Sequence, residues 1–153
     1  MAKKGKKKSQ SKPLDKKFKR QFDLYYKGNH YDLLEIYNAL NLWYFDGKIK
    51  ARICWGRRPS FPPRYHKEMI MGRCHIAERL IVIHRALDRS SIPPFVVENT
   101  VFHEMLHIKY PPIVKNGRRS LHHAKFMAAA KKFIDFKKAE QWEKNNSYTL
   151  QHF

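Results

Sequence analysis

The chain has 153 residues, enough for one domain with a buried core, and its 42% hydrophobic and 14% aromatic content excludes a wholly disordered polymer. A formal charge of +19 points to a polyanionic partner, nucleic acid above all, because Lys and Arg release counterions from phosphates. No apolar run is long enough for a transmembrane helix, and no apolar segment follows the first lysines as a signal peptide would require, so a cytoplasmic protein is expected.

Residues 1–20 carry ten Lys or Arg against the single acid Asp15. This stretch reads as a disordered basic tail, with Lys3, Lys4, Lys6, Lys7 and Lys8 holding nucleic acid without reading its sequence. Residues 21–153 read as the folded domain. In its first part, Leu33, Ile36, Tyr37, Leu40 and Tyr44 recur at helical spacing, which predicts an amphipathic helix over 32–45, with Gly47 in its cap or turn. Ile49, Ala51, Ile53 and Trp55 then alternate with Lys48, Lys50, Arg52 and Cys54, the period of a half-buried strand with a basic outer face.

A Gly- and Pro-rich loop follows, in which Arg57 and Arg58 interleave with Trp55, Phe61 and Tyr65, a mix suited to stacking on unpaired bases. Residues 69–75 and 79–84 predict two further strands joined by a turn near Ala77 and Glu78. Cys54 and Cys74 form no C-x-x-C pair, so two reduced thiols are expected, with a disulfide between neighbouring strands as the alternative. Ser90 or Ser91 and the Pro93–Pro94 pair announce a helix that runs to about Lys109 and is ended by Pro111–Pro112. A last helix is predicted from near Ser120 to about Lys144. The order of helix, three strands, helix and helix makes the fold class α+β.

The helix before Pro111 is apolar on nearly every side, from Phe95 through Val101, Phe102, Met105 and Ile108, and so must be buried. His103 and His107 lie one turn apart on one face of it. Buried imidazoles without partners cost several kcal/mol on apolar-transfer scales. The H-E-x-x-H pattern resolves that cost if both ligate one ion while Glu104 reaches the ion's water. The competing reading, core histidines bonded to carbonyls beside a surface glutamate, sits poorly with so apolar a helix. A catalytic zinc needs a third protein ligand and an open position. Tyr110 and Ile113 stand where the metzincin pattern needs Gly and His, so that continuation fails. Glu140 and Glu143 are candidates, but they lie among Lys137, Lys138 and Lys144, where solvated ion pairs are ordinary. His122 and His123 in "SLHHAKF" are better placed at the start of a helix; periodicity leans slightly to His122 and leaves the choice open.

With these residues in view, the chain resembles the SprT-like zinc metallopeptidases, the family of bacterial SprT and the Spartan-type proteases. The likeness runs over residues 33–136. It rests on "YNALNLWYFDGKIKARICW", "MGRCHIAERLIVIHRALDR", "VVENTVFHEMLHIKY" and "LHHAKF", the last similar to a family Gly-His-Gly-x-x-Phe segment. Aligning Phe126 with that phenylalanine puts His122 at the third ligand position and His123 on a family glycine. The resemblance implies a minimal zincin-like domain: an N-terminal helix, a three-stranded antiparallel sheet, the H-E-x-x-H helix and a C-terminal helix carrying the third ligand. It also implies one Zn2+ per chain held by His103, His107 and His122, with Glu104 as catalytic base.

The expected function is therefore a zinc-dependent endopeptidase acting on DNA-associated or DNA-crosslinked proteins. Its partners would be DNA, including single-stranded DNA, and the proteins on it, with no membrane, a monomeric chain and nucleoid association if the source is bacterial. Arg118 and Arg119 form the second basic pair expected to touch nucleic acid. Arg119, His123 and Tyr110 are the candidates to stabilise the oxyanion. The alternative class is a non-proteolytic zinc-containing protein that binds nucleic acid or the ribosome, against which the retained Glu104 argues, since a structural zinc needs no base.

Overall fold

Asp32 starts the first helix. Its carboxylate accepts from the N–H groups of Leu34 and Glu35 at 2.9 and 3.2 Å, two of the donors a helix start leaves open. The structure, a computed structural model, describes residues 25–57 and 70–151. The basic tail, Arg58, Phe61 and Tyr65 lie outside the described residues.

Helix α1 spans Leu33–Phe45 and buries Leu33, Tyr37, Leu40 and Phe45, the stripe its spacing predicts; Ile36 and Tyr44 are half-buried. It ends where Asp46 and Gly47 both turn left-handed. The strand after it is shorter than predicted: β1 spans only Arg52–Trp55. The side chain of Asn41 accepts from the Ile49 N–H and donates to the Ile49 carbonyl, at 3.0 and 2.8 Å. Tyr37 donates to that carbonyl as well and accepts from the Ala51 N–H. Residues 49–51 are thus bonded to α1 side chains, and pairing with another strand begins only at Arg52. The alternation also fails at one place, since Cys54 is as buried as Ile53 and Trp55.

Strands β2 (Gly72–His75) and β3 (Leu80–Ile83) form the expected hairpin, turned at Arg79 in the left-handed region. The expected all-antiparallel sheet is not formed. Its order is β1-β3-β2, with β1 parallel to β3 in the register Arg52↔Leu80 to Trp55↔Ile83. Only the short β2–β3 turn dictates direction, whereas the long connection from Gly56 to Met71 lets the chain cross back. The apolar run Leu80–Ile83 takes the centre, with Ile81 and Ile83 fully buried on one face and Leu80 and Val82 half-buried on the other. This order also settles the cysteines. Cys54 and Cys74 lie on the two outer strands, about 10 Å apart across β3, beyond disulfide reach. Both are free thiols, and burial, with the nearby Glu104 charge, pushes Cys74 up to about 12.

A single 3-10 turn, Arg85–Leu87, leads to Asp88, whose carboxylate accepts from the N–H groups of Asn29, His30 and Tyr31 and pins the segment ahead of α1. Helix α2 spans Pro94–Lys109 and starts on Pro93 without any side-chain cap; Ser90 and Ser91, expected there, stay exposed several residues earlier. Pro94 at the first helical position lacks the N–H that a cap would satisfy. As predicted, α2 is the core helix: Val96, Val97, Val101, Met105 and Leu106 are fully or almost fully buried. Each contributes about 1.5–3 kcal/mol. It packs against α1, β2, β3 and both later helices.

The predicted final helix divides. First comes a hairpin of β4 (Ile113–Lys115) and β5 (Arg118–Ser120), closed by Asn116 and Gly117 at φ 51° and 72°. Then α3 (Ala124–Ala130) and α4 (Phe136–Gln151) are separated by a reversal that drops Phe133 between Phe102 and Tyr44, at ring distances of 5.5 and 6.1 Å. After this break α4 packs against α2.

Candidate metal centre

The buried helix and the turn into α3 bring three histidines to one point. His103 and His107 project from α2, and His122 comes from the turn just ahead of α3. The Nε2 atom of His122 stands 3.1 Å from that of His103 and 3.3 Å from that of His107. Three imidazole nitrogens facing one another this closely lack enough protons to satisfy every pair. A tetrahedral ion about 2.0–2.1 Å from each would set the nitrogens about 3.3 Å apart. The donor set therefore fits a zinc-like ion. Burial, then the neighbouring imidazoles, lowers His103 to about 3 and His107 to about 4, which leaves both neutral with a free lone pair.

The rings are held from below. Phe126 is fully buried, and its ring centre lies 4.9, 4.6 and 4.8 Å from those of His103, His107 and His122. The open choice at the start of α3 is resolved by a hydrogen bond: the His123 ring pairs with the Pro111 carbonyl at 3.2 Å, away from the cluster. Glu140 is exposed on α4 and Glu143 lies outside the histidine group, so neither completes it.

Glu104 is 5% exposed, and its burial raises the carboxyl pKa to about 7. It lies flat against β2. A Cβ on Gly72 would come within 2.8 Å of Glu104 Cγ and Oε1, so only glycine admits this approach. A cleft of about 590 Å³ opens over these groups, walled by the residues of β2 on one side and by Asn99, Arg119 and Glu143 on others.

The structure brings His103, Glu104, His107, His122 and Arg119 to this one cleft. Arg118 is exposed on β5. Arg57 is exposed beyond β1, on the sheet edge remote from β2, and is not among the residues that line the cleft. Tyr110 caps α2 and packs against the core, with the Lys109 ammonium over its ring. Two participants escaped the sequence reading. Gly72 was signalled by a lone glycine inside a strand, and the β4–β5 arm by the Asn-Gly pair typical of two-residue hairpins. Glu143, weighed as a third ligand, lines the cleft without joining the histidine group. Among the described residues no helix is long and apolar enough to cross a membrane. Comparison of the chain with protein-family models, curated proteins and solved structures finds no match.

Proposed function

We propose that the chain is a zinc-dependent endopeptidase of SprT-like type, acting on proteins associated with or crosslinked to DNA. The observation that carries the reading is the convergence of His103, His107 and His122 beside the buried carboxylate of Glu104, at the wall of an open cleft. Zinc in such a site supplies Lewis acidity and water activation.

The protein groups divide the remaining work. The Glu104 carboxylate removes a proton from the attacking water and delivers it to the leaving amine nitrogen, and a pKa raised toward neutrality suits both transfers. Of the three candidates for the oxyanion, Arg119 alone lines the cleft, while His123 is bonded to Pro111 and Tyr110 is packed away. Strand β2 is the outer strand of its sheet, and residues 70–76 along it wall the cleft. Among the described residues no strand pairs with its outer edge, which offers main-chain groups to an extended polypeptide. The net charge and the exposed Lys115, Arg118 and Arg119 on the hairpin support a DNA partner.

The test is cleavage of a basic DNA-binding protein with and without single-stranded DNA, by the zinc-loaded chain and by Glu104→Gln. Cutting that requires DNA and vanishes in Glu104→Gln, with one zinc retained, is the expected result. Zinc-loaded chain that binds DNA but cuts nothing would leave the second reading, a non-proteolytic nucleic-acid- or ribosome-binding module, which the basic hairpin also suits.

A further inference from the structure

Ile70 and Leu121 are large apolar side chains left 54% and 46% exposed, and both line the cleft beside the metal centre. Leu121 immediately precedes His122. Ile70 stands two residues before Gly72, the glycine laid against Glu104. The His84 N–H donates to the Met71 carbonyl, so the β2–β3 pairing runs on past Gly72 toward Ile70.

The alternation of a strand puts Ile70, Gly72, Cys74 and Ile76 on one face of β2 and Arg73 and His75 on the other. The first set faces α2, because Gly72 meets Glu104 and the Glu104 charge acts on the Cys74 thiol. The wall turned toward α2 is therefore uncharged from Ile70 to Ile76. Arg119 and Glu143 also line the cleft, the first from the hairpin and the second from α4, where Asn99 hydrogen-bonds it. Val114 pairs directly with Arg119 and so shares its side of the hairpin, a third apolar side chain, 73% exposed.

Exposed apolar groups gathered at a concave site mark where a partner's apolar surface is buried. Side chains on one face of an extended chain recur about every 6.8 Å, which is also the step from Gly72 to Ile70. A substrate strand laid along β2 with its reacting bond at Glu104 thus carries a neighbouring side chain to Ile70. The cleft, at about 590 Å³, has room for that side chain and its backbone.

We propose that Ile70 and Leu121 are specificity-determining residues, which bury a large aliphatic or aromatic side chain of the substrate next to the peptide bond that is cut. The inference rests on the endopeptidase reading and names the substrate class for it: extended segments that present a side chain such as Leu, Met or Phe.

The experiment measures binding apart from cutting. Fluorescent ten-residue neutral peptides, identical except for a central leucine or its polar near-isostere asparagine, are titrated by anisotropy into full-length zinc-loaded chain on the Glu104→Gln background. Burial of the leucine predicts a preference of about ten- to a hundredfold. Ile70→Thr combined with Leu121→Asn should abolish it, whereas Ile70→Val combined with Leu121→Met should keep it. Both positions are exposed, so each variant should fold, and zinc content and Tm check that it does. A merely structural role would lower both affinities together and leave their ratio unchanged. Equal binding of the two peptides, no measurable binding of either, or a preference that survives the polar pair overturns the proposal. Cleavage by the chain with Glu104 intact is scored separately. Selectivity without cutting would sink the peptidase and keep the subsite, and cutting without selectivity would do the reverse.

Discussion

Phe126 offers the sharpest test of how the centre is built, because it belongs to the core and to the site at once. The side chain is fully buried and touches all three imidazoles at ring distances of 4.6 to 4.9 Å. Phe126→Ala removes a ring from a packed interior and should cost about 3–5 kcal/mol, the transfer free energy plus the void left behind. Phe126→Leu fills much of that void and should cost about 1–2 kcal/mol. The two effects of the ring separate in zinc affinity. If Phe126 sets the tilt of the imidazoles, both variants should bind zinc about ten- to a hundredfold more weakly, the usual cost of removing a group that orients ligands. Stability is read from urea unfolding in the presence of a chelator. Affinity is read by competition with a chromogenic chelator at a temperature where each variant remains folded. Phe126→Leu with lowered stability but unchanged zinc affinity would refute the orienting role. Phe126→Ala costing under about 1 kcal/mol would refute the packing argument itself.

Gly72→Ala should leave fold and zinc content intact but slow cleavage about a hundredfold, because the new methyl displaces Glu104 by something near 1 Å; full activity would show that the carboxylate can move aside without penalty. Asp88 makes stability acid-sensitive. Burial raises its pKa, but the N–H groups of His30, Asn29 and Tyr31, with the Arg85 charge, outweigh that and hold it below the usual carboxylate value. A depressed native pKa contributes stability that is present above the unfolded value of about 3.9 and is lost as pH falls through the folded value. Urea unfolding from about pH 5 down to about pH 2 should show that loss, and Asp88→Asn should flatten it; an unchanged slope would assign the acid sensitivity elsewhere.

What could be read in advance and what could not divides along one physical line, the reach of the signal. The α2 helix was legible because its apolar sides, the Pro-Pro stop and the histidines at i and i+4 are all local. The rings that complete the site lie on the next element, and there the residues alone left His122 against His123. A single long-range contact, His123 to the Pro111 carbonyl, separates them. Strand direction was invisible for the same reason. Nothing in "KIKARICW" reveals that Asn41 and Tyr37 will occupy the backbone of residues 49–51, or that β1 will lie parallel to β3. Helical spacing continues through residues 131–135 on paper, yet the chain gives up that helix to bury Phe133 against Phe102 and Tyr44. That exchange governs the site's chemistry. A straight helix from Ala124 would have carried residue 143 about 29 Å away along its axis, into solvent. Folded back, the same residue lines the cleft beside Asn99, and it does so because one phenylalanine finds its core between Phe102 and Tyr44.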